Sequence, residues 1–163
     1  MNTGALLLAR FPVLAELPAV RLTELLAAAP LRQAPAGSVL FKPAMPCEGF
    51  LLVLEGSVRV AKTSPNGREI VLYRVSPGEA CILSGGRLLS ATAYSARGVA
   101  ETDATLLCIP AHLFQELILQ HPAFFHFVFD MYGARLAEVV GLIGEVAFRR
   151  LDTRLALLEF AQQ

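Results

Sequence analysis

Turn signals between residues 35 and 78 divide the chain into short apolar segments, and this division constrains the fold more than any other feature of the sequence. Asn66-Gly67 is the clearest signal, because asparagine and glycine accept the positive φ angles of a type I′ hairpin turn. The segment after Gly56 alternates between apolar and polar residues, as a half-buried strand does. Short strands with turns roughly every 8 to 12 residues are typical of antiparallel sandwiches and barrels. We therefore predict an antiparallel β-roll over residues 31–110.

Helical periodicity replaces this pattern on both sides of the predicted β-roll. Leucines at helical spacing predict one helix over residues 11–29, whereas residues 83–95 are predicted to be irregular. After the roll, a short helix is predicted to end near His121-Pro122, and one long helix is predicted over residues 123–150, where no proline occurs. The predicted fold class is therefore mainly β with flanking helices: an antiparallel β-roll, or jelly roll, followed by a long C-terminal dimerisation helix.

The apolar residues of the predicted long helix spread over too wide an arc for a single amphipathic stripe. A helix that is apolar on more than one face must be buried on more than one face. One face can pack on the β domain, and the simplest partner for the other is the same helix of a second subunit. The alternative is the central helix of a monomer. We predict a homodimer through Met131, Leu136, Val140, Ile143 and Ala147.

Composition narrows the range of partners and compartments. Fourteen basic and fourteen acidic residues give a net charge of zero, whereas nucleic-acid-binding domains are usually basic. Hydrophobic residues make up 55% of the chain, which argues against disorder. The longest stretch without a charged residue has 13 residues, short of the roughly 20 that a membrane span needs. With no signal-peptide pattern at the N-terminus, we predict a cytoplasmic protein without a membrane partner.

The residue types that carry catalysis or bind metals are sparse. Cys47, Cys81 and Cys108 lie more than 25 residues apart and form no C-x-x-C pair, so neither a disulfide framework nor a structural zinc site is expected. No Ser-His-Asp order or paired carboxylates stand out, and we expect no enzymatic activity. The predicted strands contain no histidine, which argues against the metal site of a cupin, the enzyme class with a similar jelly roll.

Four segments, taken in order, resemble the effector domain of the Crp/Fnr transcription regulators. Residues 55–60 are similar to a turn between two strands of that domain, and residues 66–72 to its hairpin flap. Residues 77–79, followed by Ser95-Ala96, are similar to its phosphate-binding cassette, and residues 101–104 lead into a closing strand. The resemblance runs from about Phe11 to Gln163. It implies a bacterial regulator in which an effector bound in the β-roll reorients a C-terminal DNA-binding domain.

The resemblance also implies a domain boundary. In this family the long helix stops at a hinge that precedes a winged helix-turn-helix domain, and residues 147–155 resemble that hinge. We therefore predict an effector-sensing β-roll with a dimerisation helix over residues 1–150. Residues 151–163 would be the hinge and first helix of a DNA-binding domain that is otherwise absent, so DNA would be bound only through the missing part. A truncated chain and a naturally short protein both agree with this. The alternative is a stand-alone cyclic-nucleotide-like or haem/redox-sensing module that does not bind DNA.

The cyclic-AMP branch of the family offers one candidate effector. There, a Gly-Glu pair binds the ribose, an Arg-Ser-Ala string binds the phosphate, and a Thr-Ser pair on the long helix reads the adenine. Here Tyr94 stands at the arginine position, and valines replace the Thr-Ser pair. Tyrosine cannot make the bidentate contact of a guanidinium, and valine cannot hydrogen-bond an amino group. We expect no tight binding of cyclic AMP, unless Arg87 or Arg97 supplies the cation in another geometry. The candidate effector residues are Gly78, Glu79, Ala80, Cys81, Tyr94, Ser95, Ala96, Val139 and Val140.

A second candidate involves Cys81. Residues 81–85 resemble the segment that carries the thiolate iron ligand in the haem-containing, carbon-monoxide-sensing branch, which makes Cys81 a candidate haem ligand. That branch has a histidine two residues later, where this chain has Leu83. Two alternatives stay open at Cys81: a redox sensor, which needs a depressed thiol pKa and solvent access, and an inert buried thiol. The identity of the effector is left unknown.

Overall fold

The computed structural model describes residues 2–90 and 93–162, without the side chains of residues 87, 89 and 90. The described helices are α1 (Thr3–Arg10), a 3-10 helix (Pro12–Glu16), α2 (Ala19–Ala28), α3 (Ile82–Ser90), α4 (Ala111–Gln120) and α5 (Pro122–Ala161). The described strands are β1 (Leu31–Ala34), β2 (Val39–Phe41), β3 (Gly49–Glu55), β4 (Val58–Thr63), β5 (Glu69–Val75), β6 (Arg97–Ala100) and β7 (Ala104–Pro110). The predicted limits of the β-roll are confirmed.

The strands form two antiparallel sheets. The first sheet has the order β1-β7-β3, and the second has the order β2-β6-β4-β5. Val53 lies opposite Leu106 in the first sheet, and Val58 lies opposite Ala100 in the second; all four side chains belong to the core between the sheets. The predicted fold class, a β-roll with flanking helices and a long C-terminal helix, is confirmed.

The first sheet is covered on both faces, and this explains the continuous apolar run of β3. Leu51 and Val53 of β3 face the second sheet. Phe50, on the opposite face of β3, packs against aromatic rings of the helices. Its ring centroid lies 4.7 Å from that of Phe114 and 6.3 Å from that of Phe124. A strand buried on both faces does not alternate in polarity.

The edge of β3 that does not pair with β7 is covered by the segment before α3. Gly78 donates its N–H to the Val53 carbonyl at 2.9 Å, and Val53 donates to the Glu79 carbonyl at 3.0 Å. Cys81 donates to the Leu51 carbonyl at 2.8 Å. Gly78 makes the preceding turn at a φ of 84°, a conformation that favours glycine. The segment thus satisfies backbone groups that an open sheet edge would expose.

The predicted hairpin between β4 and β5 is present, but its turn is not type I′. Gly67 has a φ of 85°, whereas Asn66 is not among the residues with positive φ. Gly67 donates its N–H to the Ser64 carbonyl at 2.9 Å, so Pro65 and Asn66 occupy the central positions of the turn. Proline fixes φ near −65°, which fits a type I turn followed by a left-handed glycine.

The helical predictions need three corrections. The region predicted as one helix over 11–29 contains α1, the 3-10 helix and α2, because the prolines at 12 and 18 start new helical segments rather than continue one. Residues predicted as irregular form most of α3, whose glycines at 85 and 86 conceal its helical character. Finally, α5 continues to Ala161 rather than ending near Arg150.

The continuation of α5 passes through the predicted hinge. Thr153, predicted to help start a new helix, instead donates its hydroxyl to the Arg149 carbonyl at 2.9 Å, a contact within a continuous helix. The chain divides into two compact units between Phe127 and Val128, inside α5. The assignment of residues 151–163 to a DNA-binding domain stays a prediction. No helix in the described part of the chain is both long and apolar enough to cross a lipid bilayer.

Candidate effector site

A cavity of about 240 Å³ is lined by residues of both sheets, including residues of their edge strands β1 and β2. We call it the edge cavity. Its apolar lining comes from both sheets and from the β2–β3 loop: Ala34, Leu40, Phe41, Met45, Leu51 and Leu106. Tyr94 and Cys108 complete the wall, and two charged residues, Arg32 and Glu48, contribute to it as well. An apolar cavity with a few polar groups is typical of small-molecule sites.

Tyr94 is a buried part of this wall. Its ring stacks on Phe41 with centroids 4.2 Å apart, and its hydroxyl accepts a hydrogen bond from the Cys47 thiol at 3.1 Å. Its backbone bonds to Ala44 and Met45 of the β2–β3 loop. Burial, reinforced by Cys47, raises the pKa of Tyr94, so the phenol is neutral. The residue at the family's arginine position therefore fills the core and offers no positive charge to a phosphate.

Cys81 is a buried thiol of the same core. It is fully inaccessible to solvent, and its sulfur lies 3.4 Å from the Tyr73 hydroxyl. Burial raises the pKa of Cys81, which opposes formation of the thiolate that haem ligation or redox sensing requires. The surroundings of Cys81 therefore do not fit a haem ligand and favour the inert thiol among the alternatives.

The remaining members of the predicted cassette lie in different places. Gly78, Glu79 and Ala80 form the segment that covers β3, and Ala80 pairs with Leu52 there. Ala96 is fully buried, whereas its neighbour Ser95 is exposed.

Ser95 lies in a separate hollow on the second sheet. Three cationic side chains line that hollow, those of Lys42, Lys62 and Arg97. Arg97, one candidate for the missing phosphate cation, therefore lies in that hollow with Ser95 and not in the edge cavity. The side chain of Arg87, the other candidate, lies outside the described residues.

Of the nine predicted effector residues, Tyr94 lines the edge cavity. Val139 and Val140 belong to the second unit, on an exposed stretch of α5. The grouping of all nine in one site stays a prediction. Sequence reasoning missed Arg32 and Glu48, because their position at the cavity depends on strand pairing that the local pattern does not reveal.

The second unit offers a different kind of candidate surface. Many large apolar side chains of this unit are half or more exposed: Phe129, Leu136, Val139, Val140, Leu142, Ile143, Phe148, Leu151, Leu155, Leu157, Leu158 and Phe160. Three predicted dimer residues, Leu136, Val140 and Ile143, are 60–64% exposed. Of the other two, Met131 is half-buried and Ala147 is exposed. Leu136, Val140 and Ile143 are spaced by four and then three residues, as in the surface through which two helices pair.

The family of the chain follows from the β-roll and its comparison with known proteins. A family model for the cyclic nucleotide-binding domain matches residues 31–121, which contain both sheets and α4. The chain therefore belongs to the cyclic nucleotide-binding domain family. Comparison with curated protein sequences gives no match.

Solved structures of regulatory proteins resemble this chain. A structure described as a transcriptional regulator of the Crp/Fnr family from Eubacterium rectale is 25% identical with a TM-score of 0.74, over 83% of this chain and 63% of that one. The catabolite activator protein of Thermus thermophilus is 26% identical with a TM-score of 0.68, over 84% and 63%. The N-terminal domain of a transcriptional regulator from Streptomyces coelicolor is 28% identical with a TM-score of 0.57, over 82% and 94%. The chain thus spans 63% of the length of the first two.

Proposed function

We propose that this chain is the sensory and dimerisation part of a bacterial Crp/Fnr-type transcription regulator. In this proposal an effector binds in the β-roll, and the long helices transmit its binding to DNA-binding domains. The DNA partner rests on the resemblance to that family, and the homodimer rests also on the apolar surface of α5. The chain itself acts by binding and not by catalysis.

The observation that carries the proposal is the exposed apolar surface of α5. Leu136, Val140 and Ile143 would face water in an isolated chain, and each would leave several tens of Å² of apolar surface without cover. Their spacing fits pairing with a second α5 helix. A symmetric pair of long helices also provides a means of coupling two sensor domains to one DNA site.

The contacts that the resembling family uses for cyclic AMP are incomplete in the β-roll. The phosphate of cyclic AMP requires a cation or several free amides, and Tyr94 is buried against Phe41 where the family's arginine would stand. The segment at Gly78 and Glu79 already uses backbone groups to bond β3. We therefore propose an effector of different chemistry.

A hybrid repressor tests the proposed role. Residues 1–163 are fused ahead of a DNA-binding domain that represses a reporter only as a dimer. The wild-type fusion should repress, and Ile143→Lys should abolish repression because it buries an unpaired charge twice in a symmetric interface. Glu145→Lys, which introduces the same lysine at another exposed position of α5, should leave repression intact. A wild-type fusion that fails to repress would support the alternative of a stand-alone binding module.

A further inference from the structure

We propose that the edge cavity binds an apolar α-amino acid, with its carboxylate at Arg32, its ammonium group at Glu48 and its side chain among the apolar residues of the wall. The ligand class follows from the two opposite charges on one cavity and from the size of the cavity. The role of the amino acid as an effector rests on the proposed function. Binding itself can be measured on the chain alone.

Arg32 faces the inside of the roll. It pairs with Leu106 across β1 and β7, and Ala34 pairs with Ala104 in the same register. Residues directly opposite in an antiparallel pair share a face, and Leu106, Ala34 and Ala104 all belong to the core between the sheets. Arg32 therefore lies on the inner face of β1, and its exposed side chain borders the edge cavity. An inward-facing guanidinium at the rim of an apolar cavity suits bidentate recognition of a carboxylate.

Arg32 is not neutralised by the protein. Among residues 2–90 and 93–162, no carboxylate lies within ion-pair distance of it, although Arg21, Arg59 and Arg74 are each paired with glutamates. Glu48 likewise has no ion pair with a described side chain. Both charges are therefore available to a ligand.

Glu48 reaches the same cavity from the β2–β3 loop. Burial raises the pKa of the Cys108 thiol to about 11, while the nearby Arg32 charge lowers it and the Glu48 charge raises it. Arg32, Glu48 and this sulfur all line the edge cavity, where the two opposite charges can hold the two ends of a single small zwitterion.

The volume of the edge cavity admits a small ligand. A cavity of about 240 Å³ has room for the nine non-hydrogen atoms of leucine, since a water in the liquid takes about 30 Å³. A simple fatty acid would pair with Arg32 and leave Glu48 without a partner, and a simple amine would pair with Glu48 and leave Arg32 without one. A zwitterion with an apolar side chain satisfies both charges and the wall.

Isothermal titration calorimetry of the 163-residue chain tests the site. The ligands are L-leucine and two analogues that each lack one charge: 4-methylpentanoate, without the ammonium group, and 3-methylbutylamine, without the carboxylate. We expect L-leucine to bind and each analogue to bind at least tenfold more weakly. Arg32→Gln and Glu48→Gln should each weaken leucine binding at least tenfold, and both positions are exposed enough for the variants to fold. Arg68→Gln, in the exposed β4–β5 loop, should leave binding unchanged.

The analogues also separate the roles of the two charges. Arg32→Gln should not weaken the residual binding of 3-methylbutylamine, and Glu48→Gln should not weaken that of 4-methylpentanoate. The site is wrongly assigned if none of four apolar amino acids binds at millimolar concentration: L-leucine, L-valine, L-methionine and L-phenylalanine.

Unchanged leucine binding by Arg32→Gln would also overturn the proposal, and would leave Arg32 as a charge that protects the edge of β1 from pairing with other chains. Leucine binding together with a fusion that fails to repress would retain the site and refute the regulator. Repression without leucine binding would support the regulator and refute the amino-acid site.

Discussion

The two units of the chain use the same apolar residue types in opposite ways. In the unit up to Phe127, Leu52 and Leu106 are at most 1% exposed, whereas in the unit from Val128, Leu136 and Leu158 are more than 60% exposed. The β-roll buries its own core because its two sheets pack against each other and the helices cover the outer face of the first sheet. A single helix has no second layer of its own. Apolar content therefore shows that a segment needs burial, and the architecture shows whether its own chain provides that burial.

Loss of the dimer is the largest effect expected. Ile143→Lys should convert the chain to a monomer in sedimentation equilibrium, since two unpaired charges in one interface cost about 3–5 kcal/mol or more. Glu145→Lys serves as the control and should remain dimeric. An unchanged dimer in the Ile143→Lys variant would place the interface elsewhere and would break the contrast between the two units.

A matched pair of leucine substitutions sharpens the contrast in the monomer. In the Ile143→Lys background, Leu106→Ala should lower the free energy of unfolding by about 2–5 kcal/mol, because it leaves a cavity between the sheets. Leu142→Ala, at a position 62% exposed in α5, should change it by about 0.5 kcal/mol or less. Urea denaturation measures both. Equal losses would mean that α5 is covered even in the monomer.

The third prediction concerns the affinity of the β-roll for cyclic nucleotides. We expect calorimetry to show no tight binding of cyclic AMP or cyclic GMP, because the buried Tyr94 provides no cation and each missing contact costs roughly tenfold in affinity, or about 1.4 kcal/mol. Micromolar binding of cyclic AMP would mean that Arg87 or Arg97 supplies the phosphate contact, and the sensor would then belong to the cyclic-AMP branch.

The smallest effect concerns pH and is confined to the β-roll, which contains all three cysteines. The folded state keeps Cys81 protonated because burial raises its pKa, whereas the unfolded chain ionises near the ordinary value of 9.0. Stability should therefore be intact below pH 9 and fall above it, by at most about 1.4 kcal/mol per pH unit for this thiol. Urea midpoints between pH 7 and 10 should decline less steeply for Cys81→Ala. Identical slopes would mean that the thiol is accessible in the folded state.

Local signals in the sequence were sufficient for the roll but not for the site. The limits of the β-roll were predictable because turns such as the one at Gly67 are encoded by neighbouring residues. The absence of a cation at Tyr94 was also visible in the sequence. The stacking of Tyr94 on Phe41 and the inward orientation of Arg32 were not, because both depend on the pairing of segments far apart in the chain. The length of α5 was underestimated because residues that can start a helix, such as Thr153, can equally lie inside one.

The covering of β3 on all sides has a consequence for the exchange of its amide hydrogens with heavy water. Leu51 donates its N–H to the Ser84 hydroxyl, which is itself fully buried, and Val53 donates to the Glu79 carbonyl. Helices and the second sheet close the two faces, so small local openings do not expose these amides to solvent. Exchange at β3 should therefore require opening of the whole roll, and its rate would report the global free energy of unfolding. Amides in the exposed β4–β5 loop should exchange much faster.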